Sequence, residues 1–326
     1  MSAGQNLIVK DLKVHFKSKS VLGRAQQTVH AVDGVSFEVP AGTTFGIVGE
    51  SGSGKTTTAL AIMRLVHTTA GTVHIGDQAI TSLEGQELRA ARKRFQMVFQ
   101  DPYSSLDPRK RAGAIVREPL DLMGIGDRSK RAAMVDQLFA DVGLRPEQQQ
   151  LFPHQFSGGQ RQRLGLARAL STRPDLIVCD EPVSALDVAI QAQILNLLAR
   201  LQRDLGLTYL FISHDLGVVQ HICDEIAVMY LGQIIEQADR VSLFAKPRHP
   251  YTQALLAAVP SADVSKRDRK SRLRLKGDPP SPINLPKGCR FAARCPLAEE
   301  RCRQQAPALE TLANGHRIAC HLADKN

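Results

Sequence analysis

The sequence predicts an α/β fold with a parallel-sheet core, a helical subdomain inserted into it and a small cysteine-bearing domain at the C-terminal end. Three observations lead there. A short apolar run at 45–48 enters a glycine-rich turn and is followed by a helical pattern over 57–66, and strand, glycine loop and helix together open a parallel sheet. From 106 to 156 the texture turns helical, after which strands and helices alternate again. Beyond Phe244 the chain becomes rich in proline, basic residues and cysteine, which puts a domain boundary near Ala245 and divides 1–245 from 246–326.

Taken in order, residues 7–16 alternate well enough for a strand, and residues 35–39 read as another, closed by Pro40 and Gly42. Residues 73–75 suit an edge strand. In the inserted segment the clearest helix is 130–142, stopped by Gly143 and Pro146. A helix over 160–170 ends at Arg173-Pro174, and 176–179 is an apolar, buried strand. Residues 190–205 are helical, while 208–212 and 226–230 are strands. The stretch from Pro250 to Pro260 reads as a helix with proline in its first turn. No internal repeat stands out.

Composition narrows the class. With 43% hydrophobic and 23% charged residues, the 326-residue chain is an ordinary globular protein. No run approaches the roughly 20 apolar residues that a membrane-spanning helix needs, and residues 1–10 lack the apolar core of a secretory signal, so the expected location is the cytoplasm. The formal charge of +10 comes largely from Lys266, Arg267, Arg269, Lys270, Arg272, Arg274 and Lys276. Such a run reads first as a solvated linker and second as a contact for anionic headgroups. No aromatic residues are interleaved to stack on bases, so nucleic acid is not expected as a partner.

The chemistry concentrates in three places. Gly49, Glu50, Ser51, Gly52, Ser53, Gly54, Lys55, Thr56 and Thr57 contain the complete P-loop pattern. Its glycines let backbone N–H groups turn inward on phosphate oxygens, Lys55 reaches the β- and γ-phosphates, and Thr56 can ligate Mg²⁺. An apolar strand ends in Asp180 and Glu181. Alone, that pair is most simply a helix cap; beside a P-loop, Asp180 is placed for the Mg²⁺ shell and Glu181 for polarising an attacking water. Third, Ser157, Gly158, Gly159 and Gln160 open a helix, which makes a second anion-binding N-terminus.

The run Phe156-Ser157-Gly158-Gly159-Gln160-Arg161-Gln162-Arg163 matches the signature of ABC ATPases, and the chain resembles that family over essentially its whole length. The resemblance implies a head-to-tail dimer in which this signature closes the nucleotide pocket of the opposite subunit. It implies that Gln100 touches Mg²⁺ and water and couples to a membrane partner, that Asp187 in Ser184-Ala-Leu-Asp187 crosses between subunits, and that His214 contacts the γ-phosphate. Phe16 takes the place where the family commonly has a tyrosine stacked on adenine; His15 could make that contact instead. ATP and Mg²⁺ are the implied cofactors.

Residues 247–260, the phrase 99–108 and the run 180–198 resemble oligopeptide and dipeptide importer ATPases, nearest to the F-type subunit of their paired ATPases. That group includes nickel and glutathione relatives, which leaves the same motor with another solute as the alternative cargo. A soluble ABC ATPase acting away from membranes is the more distant reading. The implied partners are a second ABC ATPase, two transmembrane permeases and an extracytoplasmic peptide-binding protein, with this chain on the cytoplasmic face of a bacterial inner membrane. Cys179 and Cys223 lie among apolar neighbours and read as core residues. Cys289, Cys295, Cys302 and Cys320 are spaced Cys-x5-Cys-x6-Cys-x17-Cys. Thiols in a reducing compartment favour a metal or cluster over disulfides, and the resemblance implies a [4Fe–4S] cluster, with zinc and free thiols as alternatives. His316 and His321 are substitute ligands or, more simply, surface residues.

Overall fold

A computed structural model describes residues 7–17, 27–101, 103–258 and 277–323. Strands β1 (Leu7–Lys17), β2 (Thr28–Val39) and β3 (Thr44–Val48) lead into α1 (Lys55–Ile62). Then come β4 (Ala70–Ile75), β5 (Gln78–Ala79), α2 (Gly85–Ala91) and β6 (Phe95–Val98). Helices α3 (Ala112–Leu122) and α4 (Arg131–Asp141) are followed by two single turns, Pro146–Gln150 and Pro153–Gln155. The alternating part runs α5 (Gly158–Leu170), β7 (Leu176–Asp180), α6 (Val188–Leu205), β8 (Thr208–Ser213), α7 (Leu216–Ile222) and β9 (Glu225–Tyr230). β10 (Gln233–Asp239), α8 (Arg240–Ala245), α9 (Pro250–Ala258), α10 (Glu300–Gln304), β11 (Glu310–Thr311) and β12 (Arg317–Ile318) complete the chain.

These elements form two compact units. One gathers Leu7, Glu38–Thr44 and His74–Ile212; the other gathers Ile8–Phe37, Phe45–Val73 and the described part of Ser213–Asn326. In the first, β7 lies between β6 and β8, parallel to both, with Val98 opposite Cys179 and Asp180 opposite Ile212. Leu176, Ile177, Val178 and Cys179 are all buried. A strand covered on both faces reads as an unbroken apolar run rather than an alternation, which is why this segment is legible in the sequence. Asp180 thus sits at the carboxyl edge of the ladder. The inserted helices bury Ile115, Val116, Leu120, Val135 and Phe139. They are tied to the core by arginines: Arg163 donates to Val142 O at 2.6 Å, and Arg168 and Arg200 donate to the carbonyls of Ser105 and Asp141.

In the second unit β9 lies between β3, to which it is parallel, and β10, to which it is antiparallel. β12 adds to β10, with Glu236 opposite Ile318, and β11 adds to β12. The C-terminal segment therefore extends the same ladder that carries β3. None of β10, β11 or β12 is foreseen from the sequence, since two of them have only two residues each and β10 is bulged between Ile234 and Glu236. α9 occupies Pro250–Ala258, as its flanking prolines suggest. Cys179 and Cys223 are core residues, each fully buried. The basic tract 266–276 lies outside the described residues.

Candidate functional site

The glycine-rich loop leaves β3 and enters α1 through Gly54, whose φ of 103° lies in the left-handed region open to glycine. Side chains are excluded at two points: a Cβ at Gly49 would strike the carbonyl oxygen of Met229, and one at Gly54 that of Ala31. Lys55 is buried, and its Nζ donates to the carbonyls of Gly49 at 2.7 Å and Glu50 at 2.9 Å. The amine is thus curled back over its own loop. The buried hydroxyl of Ser53 has no hydrogen-bond partner among the described atoms. A backbone nest at a helix N-terminus, a lysine head folded onto the carbonyls of its own loop and an unsatisfied hydroxyl together fit a polyphosphate. Ser51, Gly52 and Thr56 are exposed and Thr57 is half-buried. In the same unit Phe16 is 45% exposed near the end of β1, whereas His15 bonds to Asp33 at 3.0 Å. His214 follows β8 and is exposed.

The first unit carries the carboxylates. Asp180 is buried at the end of β7. Glu181 adopts φ 46°, a left-handed conformation costly for a residue with a Cβ, and is pinned there by its N–H to Ile212 O at 2.9 Å. Its carboxylate accepts a hydrogen bond from Gln100 Nε2 at 2.9 Å, so two residues on either side of the whole helical insertion meet. The acid is oriented and faces a polar neighbour, an arrangement that can hold a water for attack.

Ser157 opens α5 as a reciprocal cap: its hydroxyl accepts from Gln160 N–H at 3.4 Å, and its own N–H donates to Gln160 Oε1 at 2.9 Å. This pairing is a capping box, visible in the sequence as Ser-x-x-Gln but not read there as one. Gly159 packs so closely on α6 that a Cβ would lie 2.5 Å from Ile190 Cγ2. Asp187 caps α6, accepting from Ile190 N–H at 2.9 Å. Signature and Asp187 loop are thereby joined at the first turns of two touching helices.

The late cysteines do not meet the expectation of an iron–sulfur cluster. All four are free thiols. Burial pushes the Cys289 thiol up to about 11 and raises those of Cys295 and Cys320, with neighbouring thiols adding to the shift. A tetrahedral zinc site would draw sulfurs to within about 4 Å of one another. Among the described residues the one group of three or more ligand atoms lying within 4.8 Å of each other is His15, His30 and Asp33, with no cysteine in it. The histidines are engaged elsewhere: His316, buried rather than on the surface, pairs with Glu236 at 2.7 Å, and His321 bonds to Gln305 O at 2.9 Å.

Comparison with known proteins agrees with this geometry. Residues 32–184 match the ABC transporter model, and residues 235–302 match the model of the oligopeptide/dipeptide transporter C-terminal region. The oligopeptide transport ATP-binding protein AppF of Bacillus subtilis (strain 168) is 49% identical over 318 residues, covering 97% of each chain. The chain belongs to the ABC transporter family. The putative oligopeptide transport ATP-binding protein YkfD of the same organism is 47% identical over 317 residues, covering 97% of this chain and 95% of the relative. Among solved structures, the dimeric ATP-binding cassette MJ0796 in a post-hydrolysis state with ADP and Pi aligns with 72% of this chain and 98% of its own, at 27% identity and a TM-score of 0.63. Membership in this ABC ATPase family implies ATP and Mg²⁺ as cofactors. No helix among the described residues is long and apolar enough to cross a membrane.

Proposed function

We propose that this chain is the ATP-hydrolysing subunit of a peptide importer. The observation that carries the reading is the presence in one chain of an ABC cassette and the C-terminal region of oligopeptide/dipeptide transporters, with relatives named for peptide transport aligned along nearly the whole length. The chain works beside a second ABC ATPase and two permeases at the cytoplasmic face of the inner membrane, supplied by an extracytoplasmic peptide-binding protein.

In this reading, the loop Gly49–Thr57 grips the triphosphate through backbone N–H groups. Lys55 leaves the carbonyls of Gly49 and Glu50 for the β- and γ-phosphates, and Ser53 gains the partner it lacks. Thr56, Asp180 and Gln100 would hold Mg²⁺, which would supply positive charge against the phosphate oxygens. Glu181, oriented by Gln100, takes a proton from the attacking water, and His214 steadies the γ-phosphate. Phe16 stacks on adenine. Ser157, Gly158, Gly159 and Gln160, with Asp187 beside them, close the pocket of the partner ATPase. Gln100 reports the state of the site to the permeases.

Deleting the chromosomal copy and supplying wild type or Glu181→Gln tests the proposal. Uptake of labelled di- and oligopeptides should vanish on deletion, return with wild type and not with the variant. Unchanged peptide uptake in the deletion strain would refute the assigned cargo.

A further inference from the structure

The phosphate-gripping loop is fastened by residues from the far end of the chain, and Glu50 is the point of attachment. Its main-chain N–H donates to Tyr251 Oη at 2.9 Å. Its carboxylate accepts two hydrogen bonds from the Arg294 guanidinium, at 2.6 and 3.0 Å, in the forked geometry that fixes orientation as well as distance. Neither anchor is free to swing. The Arg294 side chain is 6% exposed, and Tyr251 is fully buried, with its ring 4.8 Å from Tyr230 and 5.5 Å from Phe291, both edge-on.

The mounting behind these anchors is equally specific. His249 Nδ1 accepts the N–H of Tyr251 at 3.0 Å, while the N–H groups of Arg248 and His249 both donate to the Glu236 carboxylate. The run His249-Pro250-Tyr251 is thereby locked to β10, with the tyrosine hydroxyl aimed at the loop. A second tie runs through Arg290, which donates to Leu231 O and pairs with Asp33. The next residue, Gly232, gives its N–H to Ser53 O and accepts from Asp33 N–H, both at 2.8 Å. The loop is therefore held at Glu50 and again at Ser53. At the start of the loop, the carbonyls of Gly49 and Glu50 hold the Lys55 amine.

We propose that Tyr251 and Arg294 are positioning residues for ATP: acting through Glu50, they keep the loop in the shape that receives a triphosphate. The inference rests on the reading of Gly49–Thr57 as the ATP site. Its physical basis is pre-organisation. A glycine-rich loop released at Glu50 would sample other shapes, and the observed dissociation constant rises in inverse proportion to the fraction that remains competent. If that fraction drops to a tenth, ATP binds about ten-fold more weakly, while the hydrolytic residues of the first unit are untouched.

The test is calorimetric titration of the full-length chain with ATP and Mg²⁺, together with steady-state ATPase measurements in the assembled transporter. Arg294→Ala should weaken ATP binding about ten-fold, and Arg294→Lys and Tyr251→Phe about three-fold each. The change should fall on KM, with kcat at saturating ATP within about two-fold of wild type. A merely structural role would not give the next result: in a Glu50→Ala background, Arg294→Ala should have no further effect on ATP affinity. Equal weakening in both backgrounds, or wild-type affinity in Arg294→Ala, would overturn the proposal. Should Arg294→Ala fail to fold, Glu50→Gln and Arg294→Lys carry the same cycle, and wild-type affinity in both would overturn it. Failure of the wild-type chain to bind ATP would instead refute the site itself.

Discussion

Two regions of this molecule hold functional residues by different means. In the first unit, Ser157 and Asp187 take their partners three residues further on, and the Glu181 carboxylate accepts from Gln100, 81 positions before it. In the second, Glu50 is gripped by Tyr251 and Arg294, 201 and 244 positions along the chain. A cap set within the first turn of its own helix can be deleted with little harm to the fold. A loop suspended from a distant buried cluster shares the fate of that cluster.

The largest effect expected from this contrast is at Glu181. Glu181→Gln should lower turnover by about 10²–10⁴-fold through loss of the base, while ATP affinity and melting temperature stay near wild type. ATPase rates, calorimetry and thermal melts read these separately. Turnover close to wild type would remove Glu181 from the role.

The distant cluster should show itself through pH. Burial pushes His249 down to about 4, against the partial pull of Glu236 in the other direction. A histidine whose folded pKa lies below its unfolded value of about 6.5 contributes full stability above that value and loses it as pH falls toward 4. The loss amounts to about 3 kcal/mol. Glu236 acts in the same sense: burial would raise its carboxyl, but His316 and the N–H groups of Arg248 and His249 hold it below the ordinary range. Melting temperature should therefore fall between pH 6.5 and pH 4, and His249→Asn should flatten that slope. Parallel slopes for the two proteins would exclude His249 as the source.

Smaller effects are expected where α5 meets α6. Gly159→Ala places a methyl 2.5 Å from Ile190 Cγ2, an overpacking that costs about 1–3 kcal/mol, and Ile190→Ala in the same chain should recover part of it in urea denaturation. Smallest is Ser157→Ala, which removes half of a capping box for about 1 kcal/mol. The surviving bond from Ser157 N–H to Gln160 Oε1 needs no serine hydroxyl, so a loss well above that figure would mean the hydroxyl does more than cap.

Legibility in the sequence followed the same division. β7, β8 and β9 announce themselves because fully buried strands are unbroken apolar runs, and the glycine loop because its chemistry is contiguous. The pairing of Gln100 with Glu181 is not legible in the sequence, since nothing local joins residues on either side of the insertion; the resemblance implies only that Gln100 touches Mg²⁺ and water. β11 and β12 escaped because two-residue strands carry no period, and β10 because a bulge breaks its alternation. The buried role of His316 was hidden for a related reason: its partner Glu236 lies 80 positions away in a strand that was not foreseen. Four cysteines near one another in sequence invite a metal reading, but they are free and none belongs to a cluster of ligand atoms among the described residues.

The left-handed backbone at Glu181 sets heat tolerance against work at one position. Glycine there would relieve the conformational cost of the Cβ and delete the acid in the same stroke. A population selected only for surviving high temperature should drift toward glycine at 181, and one selected for growth on the transported solute should keep the carboxylate despite its cost.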